Sequence, residues 1–192
     1  MKVAVLSRDM VTSHPGGDIT AITGFSNGLA EYGITRVHNP TDALSNYDLI
    51  HCYHINFDWS TSNIKKALEA KRPIVLDTIF FEDDRFGCNF IEMRSLLESI
   101  TARGGEINSW SPVEAIRVKE FTGYLGDINV IPLGVDKRFI FTVDPMERTG
   151  ILSVNARQRN DKFAWKVEEI ADKLSIPYYA PVGFTNVEMP SW

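Results

Sequence analysis

Two short clusters hold the groups that could do chemistry. The first is Ser13-His14-Pro15-Gly16-Gly17-Asp18, a polar turn between an apolar run and a helical pattern. Consecutive glycines let backbone N–H groups approach a ligand without Cβ obstruction. A helix start adds unpaired N–H groups and a positive dipole end. Gly16 and Gly17 therefore read as an anion site suited to phosphate. No G-x-G-x-x-G is present, so a dinucleotide fingerprint is not indicated. The second cluster is His51 and His54, at the end of the apolar segment 47–54. Histidine at the carboxyl end of a strand can bond a sugar hydroxyl or a phosphate, or accept a proton near neutral pH. Without a third evident ligand the two do not make a metal site.

Two further features read more plainly. Glu82-Asp83-Asp84 follows an apolar strand, as a carboxylate–metal motif would, yet a charge run in a loop is ordinarily solvated. Trp59, Trp110, Trp165 and Trp192 share no common spacing and read as packing residues.

The elements that must position these groups alternate between strand and helix. Residues 2–7 form a β-branched apolar run, a buried strand. Ile19, Ile22, Phe25, Leu29 and Tyr32 recur at three- and four-residue steps, one face of a helix that Gly33 stops. Residues 34–38 predict a short strand, 47–54 another, and 73–80 a third. Between the last two, Thr61-Ser62-Asn63 can cap a helix that buries Ile64, Ala67 and Leu68. A helix is predicted over 91–102, broken by Gly104-Gly105. Ser111-Pro112-Val113-Glu114 is a capping box with proline at the first helical position, opening a helix to about residue 124, and 127–132 should form a strand. This alternation predicts an α/β fold, a Rossmann-like, mostly parallel sheet with helices on both faces.

Residues 141–149 read as a linker, and 150–154, 163–174 and 178–182 as strand, helix and strand. The domains are thus expected at 1–142 and 143–192, the second a partial βαβ unit too small to bury its own core. It should pack on the first domain, pair with another chain as in a homo-oligomer, or be completed by a missing C-terminal domain.

The chain has 192 residues, 44% hydrophobic and 23% charged, which is globular rather than disordered composition. Its net charge of -5 argues against general binding to nucleic acid or anionic membranes. No apolar run approaches the about 18 residues of a membrane span, and the N-terminus lacks the pattern of a signal peptide. Cys52 and Cys88 have no zinc-like spacing and fit reduced thiols, so a cytoplasmic location is expected.

Several segments, in order, resemble the retaining GT-B glycosyltransferases of the large family four. They are Lys2-Val3-Ala4-Val5-Leu6 with Pro15-Gly16-Gly17, then Leu29-Ala30-Glu31-Tyr32-Gly33, then Asp48-Leu49-Ile50-His51. Val130-Ile131-Pro132-Leu133-Gly134-Val135-Asp136 with Phe139 is similar to the segment crossing between that family's domains, with Leu133 where asparagine is usual. Ile79 and Phe80 stand where the family usually has a histidine. Arg157 and Lys162, five positions apart with Arg159 between, resemble the donor-diphosphate pair. The resemblance implies a nucleoside diphosphate sugar donor, an acceptor hydroxyl of open identity, retention at the sugar, no bound metal and no cofactor. Gly16 and Gly17 would face the donor diphosphate from one domain and Arg157 and Lys162 from the other, with His51 and His54 as candidate contacts to acceptor or sugar. The acidic segment that would hold the nucleotide ribose lies beyond Trp192, so the chain reads as a fragment or a short relative. Two readings from other classes are a non-catalytic module binding nucleotide, glycan or protein, and a small doubly wound enzyme.

Overall fold

The protein is described from a computed structural model covering residues 1–8, 17–81, 89–133, 151–152, 164–175 and 178–179. By its internal contacts the chain divides into two units, Met1–Gly134 and Val135–Trp192.

In the first unit the strands are β1 (Lys2–Leu6), β2 (Thr35–His38), β3 (Leu49–Tyr53), β4 (Ile74–Asp77), β5 (Glu106–Ser109) and β6 (Asn129–Val130). The helices are α1 (Gly17–Ala30), α2 (Asp58–Glu69), α3 (Phe90–Thr101) and α4 (Pro112–Thr122). All five strand pairings are parallel, in the order β2-β1-β3-β4-β5-β6. This six-stranded sheet flanked by helices is a Rossmann-like arrangement.

The strand order dictates where the helices go. Crossovers between parallel strands are right-handed, so opposite directions of travel lay helices on opposite faces. The step from β1 to β2 runs one way, and the steps from β3 through β6 run the other. One face carries Ala4, Leu6, Ile50, Cys52, Ile74, Leu76 and Ile107. These pack with Ile64 and Ala67 of α2, four buried residues of α3 and Val118 of α4. The opposite face holds a smaller cluster of Val5, Tyr53, Ile79 and Ile22 of α1, with Trp110 against it.

Local chemistry sets the helix ends, and not always as the residue types predict. Helix α2 starts at Asp58, before Thr61-Ser62-Asn63, which lie inside it. The reason is Ser60, whose buried hydroxyl accepts from the Phe57 N–H at 3.0 Å and donates to the Phe57 carbonyl at 2.7 Å, fixing an earlier entry. Helix α1 ends at Ala30, so Tyr32 falls in the turn and is 81% exposed rather than on a buried face. Gly33 takes the left-handed conformation, φ 71°, that stops the helix.

The second unit contains β7 (Ile151–Leu152), α5 (Ala164–Leu174) and β8 (Tyr178–Tyr179), with β7 and β8 paired in parallel. This is a βαβ piece in which Ala171 is fully buried. No helix among the described residues is long and apolar enough to cross a membrane.

Candidate functional site

Strands β1 and β3 are neighbours, yet their following helices lie on opposite faces of the sheet. Open α/β sheets place ligands outside the carboxyl ends of strands at such a reversal. Gly17 is the first residue of α1, the helix that follows β1. Gly16, Arg157, Arg159, Lys162 and the Glu82-Asp83-Asp84 run lie outside the described residues. Of the predicted site residues, His51 and His54 have described surroundings, and Gly17 has its place at the start of α1.

His54 directly follows β3 with a left-handed φ of 67°, uncommon for a residue with a side chain. Its N–H donates to the Asp77 carbonyl at 2.9 Å. The ring is 5% exposed and lies among Phe57, Trp59 and Phe81, with centroids at 5.4, 5.4 and 6.2 Å. The loops around it are tied together. Asn56 accepts from the Phe81 N–H at 3.0 Å and its amide donates back to the Phe81 carbonyl. Glu114 accepts from Thr78 Oγ1 at 2.6 Å, the Phe80 N–H at 2.9 Å and the Trp110 N–H at 2.8 Å. Ser111 caps α4 by accepting from the Glu114 N–H at 3.1 Å. The glutamate does not complete the capping box on Ser111; its carboxylate reaches across to the turn after β4.

His51 sits inside the sheet rather than at its edge. Register places Arg36, His51, Tyr53, Asp77, Asn108 and Asn129 on one face, forming a polar ladder from β2 to β6. Arg36 Nη2 lies 3.2 Å from His51 Nδ1 and donates to the Tyr53 hydroxyl at 3.0 Å. His51 Nε2 lies 3.1 Å from Asp77 Oδ2. Asn108 donates to Asp77 Oδ1 at 3.1 Å, and Asn129 donates to Asn108 Oδ1 at 3.3 Å and Glu106 Oε2 at 2.9 Å. The His51 ring also stacks on Tyr53 at 4.4 Å. Both ring nitrogens thus face groups of the sheet itself. Burial pushes the Tyr53 phenol up to about 12, and burial alone does the same to the Cys52 thiol on the opposite face.

A third group of polar residues gathers at the carboxyl ends of β1 and β2. Ser7 Oγ lies 2.9 Å from His38 Nε2 and donates to the Arg8 carbonyl at 3.0 Å. Asn39 accepts from the Ser7 N–H at 3.0 Å and Asn63 donates to the Ser7 carbonyl at 3.4 Å. These residues open onto a groove of about 1200 Å³ between the segment after β2 and helix α2. Along its wall the Tyr47 hydroxyl donates to Asp42 Oδ1 at 2.6 Å. That bond holds the Asp42 carboxyl below its usual value and pushes the Tyr47 phenol up to about 12.

Compared with known proteins, the chain matches no family model and no curated sequence.

Ser7, His38, Asn39 and the groove escape a reading of residue patterns, because they come together only through the β1–β2 pairing and the crossover to β3. The one available signal is polar residues directly after apolar strands, at Ser7-Arg8 and Asn39. Among the described residues no group of three or more His, Cys, Asp or Glu side chains is placed to hold a metal ion. The arrangement offers the start of the helix that follows β1, a braced aromatic loop cluster after β3 and β4, and a polar groove at the ends of β1 and β2.

Proposed function

We propose that the chain is a GT-B-type glycosyltransferase, or the N-terminal part of one, using a nucleoside diphosphate sugar and a hydroxyl acceptor. The observation that favours it most is Gly17 at the first turn of α1, the helix that follows β1, where the strand order reverses. Backbone N–H groups at such a start suit a phosphate. The order of segments similar to family four, from β1 through Arg157 and Lys162, gives that phosphate an identity, the donor diphosphate.

In the reaction so proposed, the acceptor oxygen bonds to the anomeric carbon as the bond from that carbon to the diphosphate breaks. The electron pair stays on the leaving phosphate, which takes the acceptor's proton. Gly16 and Gly17 N–H groups, with Arg157 and Lys162, stabilise the growing phosphate charge, an electrostatic contribution that strengthens as water is excluded. His51, bonded by Arg36 and beside Asp77, belongs to the sheet rather than to these loops.

The test is thermal-shift screening of the protein against nucleoside diphosphates and their sugars, with Arg157→Ala alongside. Stabilisation by at least one donor, reduced in Arg157→Ala, is expected. If no nucleotide stabilises the protein, or the variant binds as tightly, the proposal fails. Binding without transfer or hydrolysis of the sugar would favour a non-catalytic module instead.

A further inference from the structure

The groove beside the carboxyl edge has a lining that selects among ligand chemistries. Trp59, Asn63, Lys66 and Ala70 on one wall recur at steps of four, three and four, so they form a single face of α2 and its last turn. At 1.5 Å per residue that face spans about 16 Å, longer than one sugar ring. The opposite wall is the connection from β2 to β3, where Asp42 stands.

Charge on the lining is balanced, with Arg8 and Lys66 against Asp42 and Glu69. A phosphate seat would be one-sidedly basic, and a seat for an alkyl chain would be largely apolar. This groove presents donors and acceptors together. The Lys66 and Glu69 side chains form no ion pair or hydrogen bond among the described residues, and Asn63 spends only its amide N–H on Ser7. Hydroxyl groups, which donate and accept at once, match such a mixed lining.

Trp59 adds an aromatic wall whose position is already set. Phe57 stacks on it at 5.5 Å and 12°, and His54 meets it nearly perpendicularly at 5.4 Å. The Phe57 backbone is itself held by Ser60 on both sides. An indole fixed before binding loses little freedom when a ligand packs on it. The C–H face of a sugar ring is the complementary surface for such an indole.

We propose that this groove binds a neutral oligosaccharide, seated against Trp59 at the carboxyl edge and extending along α2 toward Glu69. Its role as the acceptor seat rests on the transferase reading above; the binding itself does not.

Saturation-transfer NMR on the full chain tests this with neutral trisaccharides built from glucose, mannose or N-acetylglucosamine. At least one should bind through its ring protons. Trp59→Ala should weaken it ten-fold or more, Trp59→Phe less, and Asn63→Ala several-fold. The melting shift produced by nucleoside diphosphates should be unchanged in all three. Should Trp59→Ala misfold, Trp59→Phe and Asn63→Ala decide the matter. The groove proposal is overturned if no trisaccharide binds, or if binding is indifferent to the variants that fold. Nucleotide binding without saccharide binding would sink the groove and spare the transferase reading. Saccharide binding without nucleotide binding would do the reverse.

Discussion

Arg36 Nη2 approaches His51 Nδ1 to 3.2 Å, and since arginine can only donate, that nitrogen holds the lone pair. The ring proton then belongs on Nε2, which faces Asp77 Oδ2 at 3.1 Å. Arg36 on β2 and Asp77 on β4 thus flank one imidazole, hydrogen-bonded to it on the arginine side and in close approach without hydrogen-bond geometry on the aspartate side. ¹⁵N NMR of the histidine rings should show an unprotonated Nδ1 and a protonated Nε2 for His51. The opposite tautomer would dismantle the ladder as drawn. His51→Ala should cost about 1–3 kcal/mol in urea unfolding, because partners inside the sheet lose a hydrogen-bonding group.

Glu114 accepts from three donors, two of them, Thr78 and the Phe80 N–H, in the turn after β4, and so ties α4 to that turn. Thr78, one of the three, is fully buried. Glu114→Ala should destabilise the protein by about 2–3 kcal/mol, the range for lost bonds to a charged acceptor. Glu114→Gln should recover part of this. A loss under about 0.5 kcal/mol for the alanine variant, the scale of an ordinary surface change, would mean that the brace does not hold the loop.

Alkaline pH should weaken the fold. Cys52, Tyr47 and Tyr53 are each raised to about 12, from 9.0 for the thiol and 10.0 for the phenols. Below pH 9 these groups keep their protons whether folded or unfolded. As pH rises from there to about 12 the unfolded chain releases protons that the native state retains, so stability falls. Denaturant midpoints should therefore decline across that window, and the decline should be shallower in Tyr53→Phe. Absorbance titration should show Tyr47 and Tyr53 ionising above the ordinary phenol range or only on unfolding.

Gly105 offers a steric test. A Cβ there would lie 2.7 Å from Ile100 Cγ2 and 2.8 Å from the Ile74 carbonyl oxygen. The isoleucine methyl can turn aside, but the backbone oxygen of β4 cannot without disturbing the sheet. Gly105→Ala should cost about 1–3 kcal/mol, as overpacked sites do. Gly28→Ala, with open space around its Cβ position, should be neutral or stabilising by up to about 1 kcal/mol, since alanine favours a helix. Paired thermal melts of the two variants settle the contrast, and equal effects would contradict it.

The sheet and most of its helices were legible because their burial follows simple periods. Residues 2–7, 47–54 and 73–80 are apolar runs, and Ser111-Pro112 marks the start of α4 from side-chain chemistry alone. Strand β5 carries no such period. In Glu106-Ile107-Asn108-Ser109 only Ile107 is apolar, because Asn108 and Glu106 face the polar ladder instead of a core. The ladder itself draws one or two residues from each of five strands, so no sequence window contains it. The same reasoning separates the two histidines. Three positions apart in sequence, His51 falls within the sheet and His54 at its edge, because the strand ends at Tyr53.

The two sheet faces differ in how they are held. Three helices share an extensive apolar core on one side, whereas Ile22 alone among the described side chains of α1 is buried on the other. Residues 21–30 of α1 should consequently exchange their amides by local opening, at less free energy than global unfolding. Amide exchange should be fastest there among the helices of the first unit. A ligand seated at Gly17 would slow that exchange, so occupancy of the helix start would be readable as protection along all of α1.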